Sequence, residues 1–350
     1  MPNENKNLTP VWICYVDGKR LDTSHEGALK KIHVDDLLNS VGQCTLLFDI
    51  SAEKLLELGT FNLERRISVH LGYKDDVEEV FEGEITGFSG IFMENGHEMA
   101  EVHCCNSLHK LAHGKHFSSF ENKTCSEAIK DIIESYSLSA ETDSFGPAQT
   151  FENIQNLTDL EYIKLCSEKY GKDFYAYGTK VYIKDNIQVR SDDIIFEWGK
   201  SLISFKAKQS IEKLYSACKC VGWNSLKCEG ISAEARISDV AVKVGGGSDW
   251  TSVSKGGDGM WNHGIIDKAF LDEEDAKNVA IGALQKNSYN FITAEGKAGG
   301  TYKLLPGMRV NIKYVGSLFE GEYIAERVIH QFDTLNGYTT TFYLKRNMCP

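Results

Sequence analysis

The sequence predicts a mainly β protein with an α/β insertion, carrying two antiparallel β-barrels that arise from an internal duplication. Three observations predict it. Polar and apolar residues alternate with period two at Arg66–Leu71 and again at Met308–Tyr314, the pattern of a half-buried strand. Each stretch is followed by a turn, the tetrapeptide Phe-Glu-Gly-Glu (Phe81–Glu84 and Phe319–Glu322), an Asn-Gly pair (Asn95-Gly96 and Asn336-Gly337) and a further alternating run. Asn-Gly supplies the positive φ angles of tight hairpin turns. Between these units lies sequence of a different character, with the helical 3–4 spacing of apolar residues.

In chain order, Leu29–Val34 and Cys44–Ile50 read as strands, and Ser51–Leu58 as a short helix. Thr124-Cys125-Ser126-Glu127 and Thr158-Asp159-Leu160-Glu161 are capping boxes, in which threonine and glutamate each satisfy a free backbone N–H. The second of these helices stops at Gly171. Phe174–Tyr177, Gly178-Thr179 and Val181–Ile183 read as a hairpin. Ser204–Gln209 and Tyr215–Trp223 read as the opening strands of the second barrel. Gly245–Asp249 and Gly256–Gly259 bracket a stretch read as a mobile loop, and Asp272 caps a helix through Leu284. The expected division is a first β-barrel over 8–112, an α/β insertion module over 113–200, a second β-barrel over 201–226 and 288–348, and an insertion with the Gly-rich loop and helix over 227–287.

The 350 residues carry a formal net charge of -12, which argues against stable nucleic-acid binding, since that needs a basic patch. No apolar run approaches the roughly 20 residues of a membrane helix, so no membrane insertion is expected. Ten cysteines without a signal-peptide pattern are expected as reduced thiols.

Each candidate chemistry has a plainer reading. Glu82, Glu84, Glu320 and Glu322 are same-face carboxylates at the spacing of a glycosidase pair, yet their occurrence in both repeats favours a lumen or interface face. His109, His113 and His116, close to His103, Cys104 and Cys105, have part of a zinc spacing but read as a polar linker. Cys218 and Cys220 face one way on a strand, with Cys228 beyond; buried thiols are the simpler account. The glycines around Gly245 lack the lysine and hydroxyl of a phosphate loop. The expectation is therefore no catalytic, cofactor-binding or metal residue, no cofactor and no enzymatic activity.

The stretch LTDLEYIKLCSEKYGKDFYAYGTKVYI resembles one typical of phage late control D proteins and of VgrG proteins of type VI secretion. The closing LLPGMRVNIKYVGSLFEGEYIAERVIHQFDTLNGYTTTFYLKRN and the opening VWICYVDGKRLD are similar to the ends of the same hub region. The resemblance implies a structural baseplate hub of a contractile injection system, such as a phage tail or tailocin. It also implies two tube-protein-like barrels per chain and a homotrimer that joins a sixfold tail tube to a threefold spike. The tail tube protein, the spike protein and other baseplate proteins are the implied partners. Synthesis in the bacterial cytoplasm and a place in the phage-like particle or secretion apparatus go with it. The chain ends directly after the last barrel strand, so the spike is expected either as a separate protein or as the continuation of a longer VgrG-type chain. A tail-associated cell-wall hydrolase and a carbohydrate-binding β protein are the competing expectations.

Overall fold

The computed structural model describes residues 9–350 apart from 58, 75, 150–151, 191–192, 225–226, 255–261 and 267–268. Its frame is one 13-stranded sheet. Seven strands come from the N-terminal part: β1 (Pro10–Val16), β2 (Lys19–Arg20), β3 (Leu29–Leu37), β4 (Gln43–Phe48), β5 (Arg66–Tyr73), β6 (Asp76–Phe92) and β7 (Glu98–Cys105). Six come later: β8 (Ile194–Glu197), β9 (Leu202–Gln209), β10 (Ile292–Gly299), β11 (Arg309–Lys313), β12 (Gly321–Asp333) and β13 (Gly337–Arg346). The first set runs β3-β4-β7-β6-β5 and the second β9-β10-β13-β12-β11. The order is the same, and each member follows its counterpart's place in the chain. The mainly β fold with a duplicated antiparallel unit is thus what the alternating segments encode.

The registers carry the duplication further than the order does. A bulge interrupts β6 against β7 between Ile85 and Gly87, and another interrupts β12 against β13 between Ala325 and Arg327. A second bulge lies between Leu29 and Lys31 in β3, and its counterpart between Leu202 and Ser204 in β9. Two bulges at matched positions are unlikely products of two unrelated meanders, because bulges are specific local features that re-aim a strand. With the bulges aligned, Ile85 matches Ala325 and Arg66 matches Arg309.

Each repeat wraps its own apolar core. Leu46, Phe48, Val69, Phe81 and Val102 are buried in the first, and Phe196, Ala294, Val310, Tyr323 and Phe342 in the second. The alternating patterns explain this directly, since every second residue of a strand faces one side.

The segments between the repeats form a third core. Both capping boxes are made, with Thr124 accepting from the Glu127 N–H and Thr158 from the Glu161 N–H. Their helices, Cys125–Ser135 and Asp159–Lys169, pack with the hairpin of Asp173–Tyr177 and Lys180–Lys184. Three expectations are corrected here. Ala217–Asn224, expected in the second barrel, pairs with Glu229–Arg236 and Asn262–Ile266 and joins this third core. Conversely, β8, expected within the α/β insertion, pairs in parallel with β11 of the second repeat. The two expected insertions are also not separate: the Glu273–Ser288 helix packs on the Asp159–Lys169 helix, with Gly171 and Gly282 in backbone contact where any Cβ would collide. Period two identifies a strand but not the sheet that receives it.

The Gly-rich stretch is also placed differently. Ser248-Asp249 pairs with Met348-Cys349, and Gly247, at φ +90°, sits where a Cβ would overlap the Cys349 carbonyl. This half is therefore pinned by the C-terminal segment rather than mobile. Gly256–Gly259 lies outside the described residues. Among the described residues, no helix is long and apolar enough to cross a membrane.

Candidate functional site

The candidate site is the seam where the repeats meet. β12 uses one edge twice. Its first part pairs with β11, and Arg327–Asp333 then pairs antiparallel with Leu37–Lys31 of β3. Leu38 donates to the Glu326 carbonyl at 2.9 Å and Thr334 to the Lys30 carbonyl at 3.1 Å, extending the ladder at both ends. On one face, the Arg327 guanidinium forks onto the Asp35 carboxylate, with Nε to Oδ1 at 2.7 Å. Such a bidentate pair fixes orientation as well as adding attraction. On the other face, burial pushes His330 down to about 3, so its ring is neutral. Its Nε2–H donates to the Leu304 carbonyl at 3.1 Å, and its Nδ1 accepts from the Tyr338 hydroxyl at 2.9 Å. Phe332 closes the seam against Trp12, with ring centroids 6.4 Å apart.

The third core docks on this seam through buried charge. Asp173 contacts Lys286, Lys345 and Asn39 at once. Burial alone would raise the Asp173 carboxyl, but the Lys345 and Lys286 ammoniums outweigh it and hold the group well below its usual range. Tyr175 donates to Asp36 at 2.6 Å, and burial lifts that carboxyl to about 7.

The carboxylates singled out in the sequence are not brought to one place. Glu82 pairs with Arg66, and Glu322 with Arg309 at 2.6 Å. These two ion pairs are equivalent in the aligned repeats. Glu84 instead matches Ile324, and it is held by His109 at 3.1 Å and by Lys110. Burial would raise Glu84, but the Lys110 and His109 contacts leave it below the ordinary carboxylate range. Glu320 precedes β12, and its carbonyl accepts from Arg346 at 2.6 Å. The two Phe-Glu-Gly-Glu stretches are therefore two residues out of register. The expectation of four equivalent carboxylates is corrected to one equivalent pair, Glu82 and Glu322.

Of the histidines, His103 contacts Ser89 at 2.7 Å, and His109 meets His113 edge-on at 5.8 Å. The side chain of His116 lies outside the described residues. Cys104 is buried and Cys105 half-buried, while Cys218 and Cys220 are buried and Cys228 is exposed. Among the described residues, no group of three or more His, Cys, Asp or Glu could hold a metal ion. Sequence reasoning missed Asp173, Lys286, Lys345 and Arg327, all charged residues in alternating or helical runs whose partners lie far away in the chain.

Comparison with solved structures gives this fold to several tail proteins. The 43 kDa tail protein of the MuSo2 prophage from Shewanella oneidensis matches with a TM-score of 0.70 at 13% identity, covering 97% of this chain and 98% of that one. A tail protein from Neisseria meningitidis matches with a TM-score of 0.66 at 11% identity, covering 97% of each. An E. coli component of the type VI secretion system, described as similar in structure to bacteriophage tail proteins, matches at 0.59 and 11% identity, covering 96% of this chain and 79% of that one. No curated protein matches the chain. The model of the Alg8 N-terminal domain family matches residues 8–334. That match covers well over half of the sequence, and the chain belongs to the Alg8 N-terminal domain family.

Proposed function

We propose that this protein is a structural baseplate hub, a homotrimer that joins a sixfold tail tube to a threefold spike in a contractile phage tail, tailocin or secretion system. The observation that carries the reading is the five-strand unit built twice, in one order and with the same two bulges. A chain with two similar faces lets three subunits present six, which a symmetry adaptor requires. The likeness to tail proteins and to a type VI secretion component supports the same setting. The tube protein, the spike protein and other baseplate proteins are the partners in this reading. The division of labour assigns β1–β7 and β8–β13 to the tube-facing ring and the third core to its periphery. No catalytic residue is assigned.

The test is the mass of the full chain in solution, alone and co-expressed with a spike protein of the same contractile system, followed by negative-stain imaging. A trimeric mass and a ring with a central hole are expected. A particle that remains monomeric in both preparations defeats the proposal.

A further inference from the structure

The chain contains one complete seam and both halves of a second. β6 is laid out like β12: Asp76–Glu84 pairs with β5, as Gly321–Ile324 pairs with β11. Past that point β12 takes β3. Among the described residues, Gly87–Phe92 of β6 has a strand partner only on its β7 side. β9 is the counterpart of β3, and from Ser204 onward it pairs, among the described residues, only with β10.

Exposure follows the same logic. β3 alternates buried and half-buried after its bulge, whereas β9 alternates half-buried and exposed at matching positions. Val328, His330 and Phe332 are buried in the seam, but their counterparts Phe88, Gly90 and Phe92 are half-buried, exposed and exposed. Phe92 is 76% exposed where Phe332 is 7%. Ile203 and Ile211, matching Lys30 and Leu38 at the two ends of the seam, are also exposed. Two long bare edges on one molecule are the arrangement that sheets otherwise avoid.

We infer that these edges are partners in a second seam, formed between copies of this chain: Gly87–Met93 of one subunit against Ser204–Ser210 of the next, antiparallel, in the register of the internal seam. Transferring that register sets Ser89 opposite Lys208, Gly90 opposite Ala207 and Phe92 opposite Phe205. The occupant is a second copy because, among the described residues, the surface that fits such an edge in the internal seam is the β3-type edge of the other repeat. Charge agrees with this register. Ser89 is short and pairs with Glu101 on β7, so Lys208 can reach across it to that carboxylate, strands being about 4.8 Å apart. The contact is head-to-tail, so it builds a ring or an open chain of copies rather than a twofold dimer, and the hub reading selects the ring. This rests on the hub reading and deepens it by naming the subunit interface.

The test places Ser89→Cys and Lys208→Cys in the full chain with the exposed Cys228 changed to Ser, followed by mild oxidation. Covalent linkage between chains is expected, and far less of it for Ser89→Cys with Lys206→Cys, one side-chain repeat out of register. Phe92→Asp, an exposed position that folding does not need, is expected to weaken self-association roughly tenfold by concentration-dependent mass. A trimer that shows neither the Ser89–Lys208 link nor any response to Phe92→Asp overturns the interface and leaves the trimeric reading standing. Equal linkage in both registers overturns the register. A chain that stays monomeric at every concentration, both alone and with a spike-like partner, overturns both.

Discussion

The two repeats fill one matched position of their cores in opposite ways. In the first, Leu46 lies across from Val102, and both are buried. In the second, the matched pair is Gly296 and Phe342, and a Cβ on Gly296 would overlap the Phe342 ring. That ring lies over the missing side chain and stacks on Phe196 at 4.6 Å. Total volume across the pair is roughly kept while its distribution is inverted. Backbone order and bulges have held, whereas side chains have traded places; cores tolerate such trades when volume and pattern survive.

A second contrast sets the largest expected effect. Lys345 stands where the first repeat has Cys105, and only the second repeat therefore offers a buried ammonium to Asp173. Asp173→Asn leaves Lys345 and Lys286 without their shared counter-charge and should cost about 3–5 kcal/mol, read as a lowered denaturation midpoint. The sign of the pH effect follows from the depressed carboxyl. Its stabilisation is present above the ordinary value of 3.8 and is lost as pH falls through the folded value. The variant should therefore lose least, relative to the parent, in acid; a constant difference at every pH would break the contrast.

The inverted core pair gives the next effect. Gly296→Leu forces a side chain into the Phe342 ring and should cost about 2–3 kcal/mol. Adding Phe342→Val, which rebuilds the first repeat's arrangement, should recover much of that loss. Thermal melts of both single variants and the double variant give the coupling directly, and additive losses would show that the positions are not interchangeable. The smallest effect sharpens the alignment itself. Arg66→Ala and Arg309→Ala remove matched, partly exposed ion pairs, so each should cost less than about 1 kcal/mol, and by similar amounts. Unequal losses well above that level would mean that the two pairs do different work.

Local signals were legible in the sequence because their physics is local. The capping boxes at Thr124 and Thr158 are complete within four residues, and both appear as read. The Arg66–Leu71 and Met308–Tyr314 alternations marked β5 and β11 as strands at corresponding places in the two repeats. The more eye-catching Phe-Glu-Gly-Glu match identified β6 and β12 as counterparts but not their register, because a slip of two keeps every side chain on its own face and so leaves no trace in the pattern. Tyr215–Trp223 reads as a strand, and one forms at Ala217–Asn224, but in a different sheet from the one expected, since its alternation fits either neighbour. The seam itself left no mark: Asp35 and Arg327 are nearly 300 positions apart and sit in unremarkable alternating runs. Candidate chemistry read from spacing alone dissolved into ion pairs once the partners were in view, as Glu84 with His109 and Lys110 shows.

The β3–β12 ladder also imposes an order on how the molecule comes into being. The N-terminal repeat emerges from the ribosome first, yet the strand that seals its β3 edge is made nearly 300 residues later. Until Gly321–Asp333 arrives, the nascent chain holds a nearly complete half with one raw edge, at which a neighbouring nascent copy could pair wrongly. Synthesis therefore passes through a vulnerable interval whose length is set by everything encoded between the two halves.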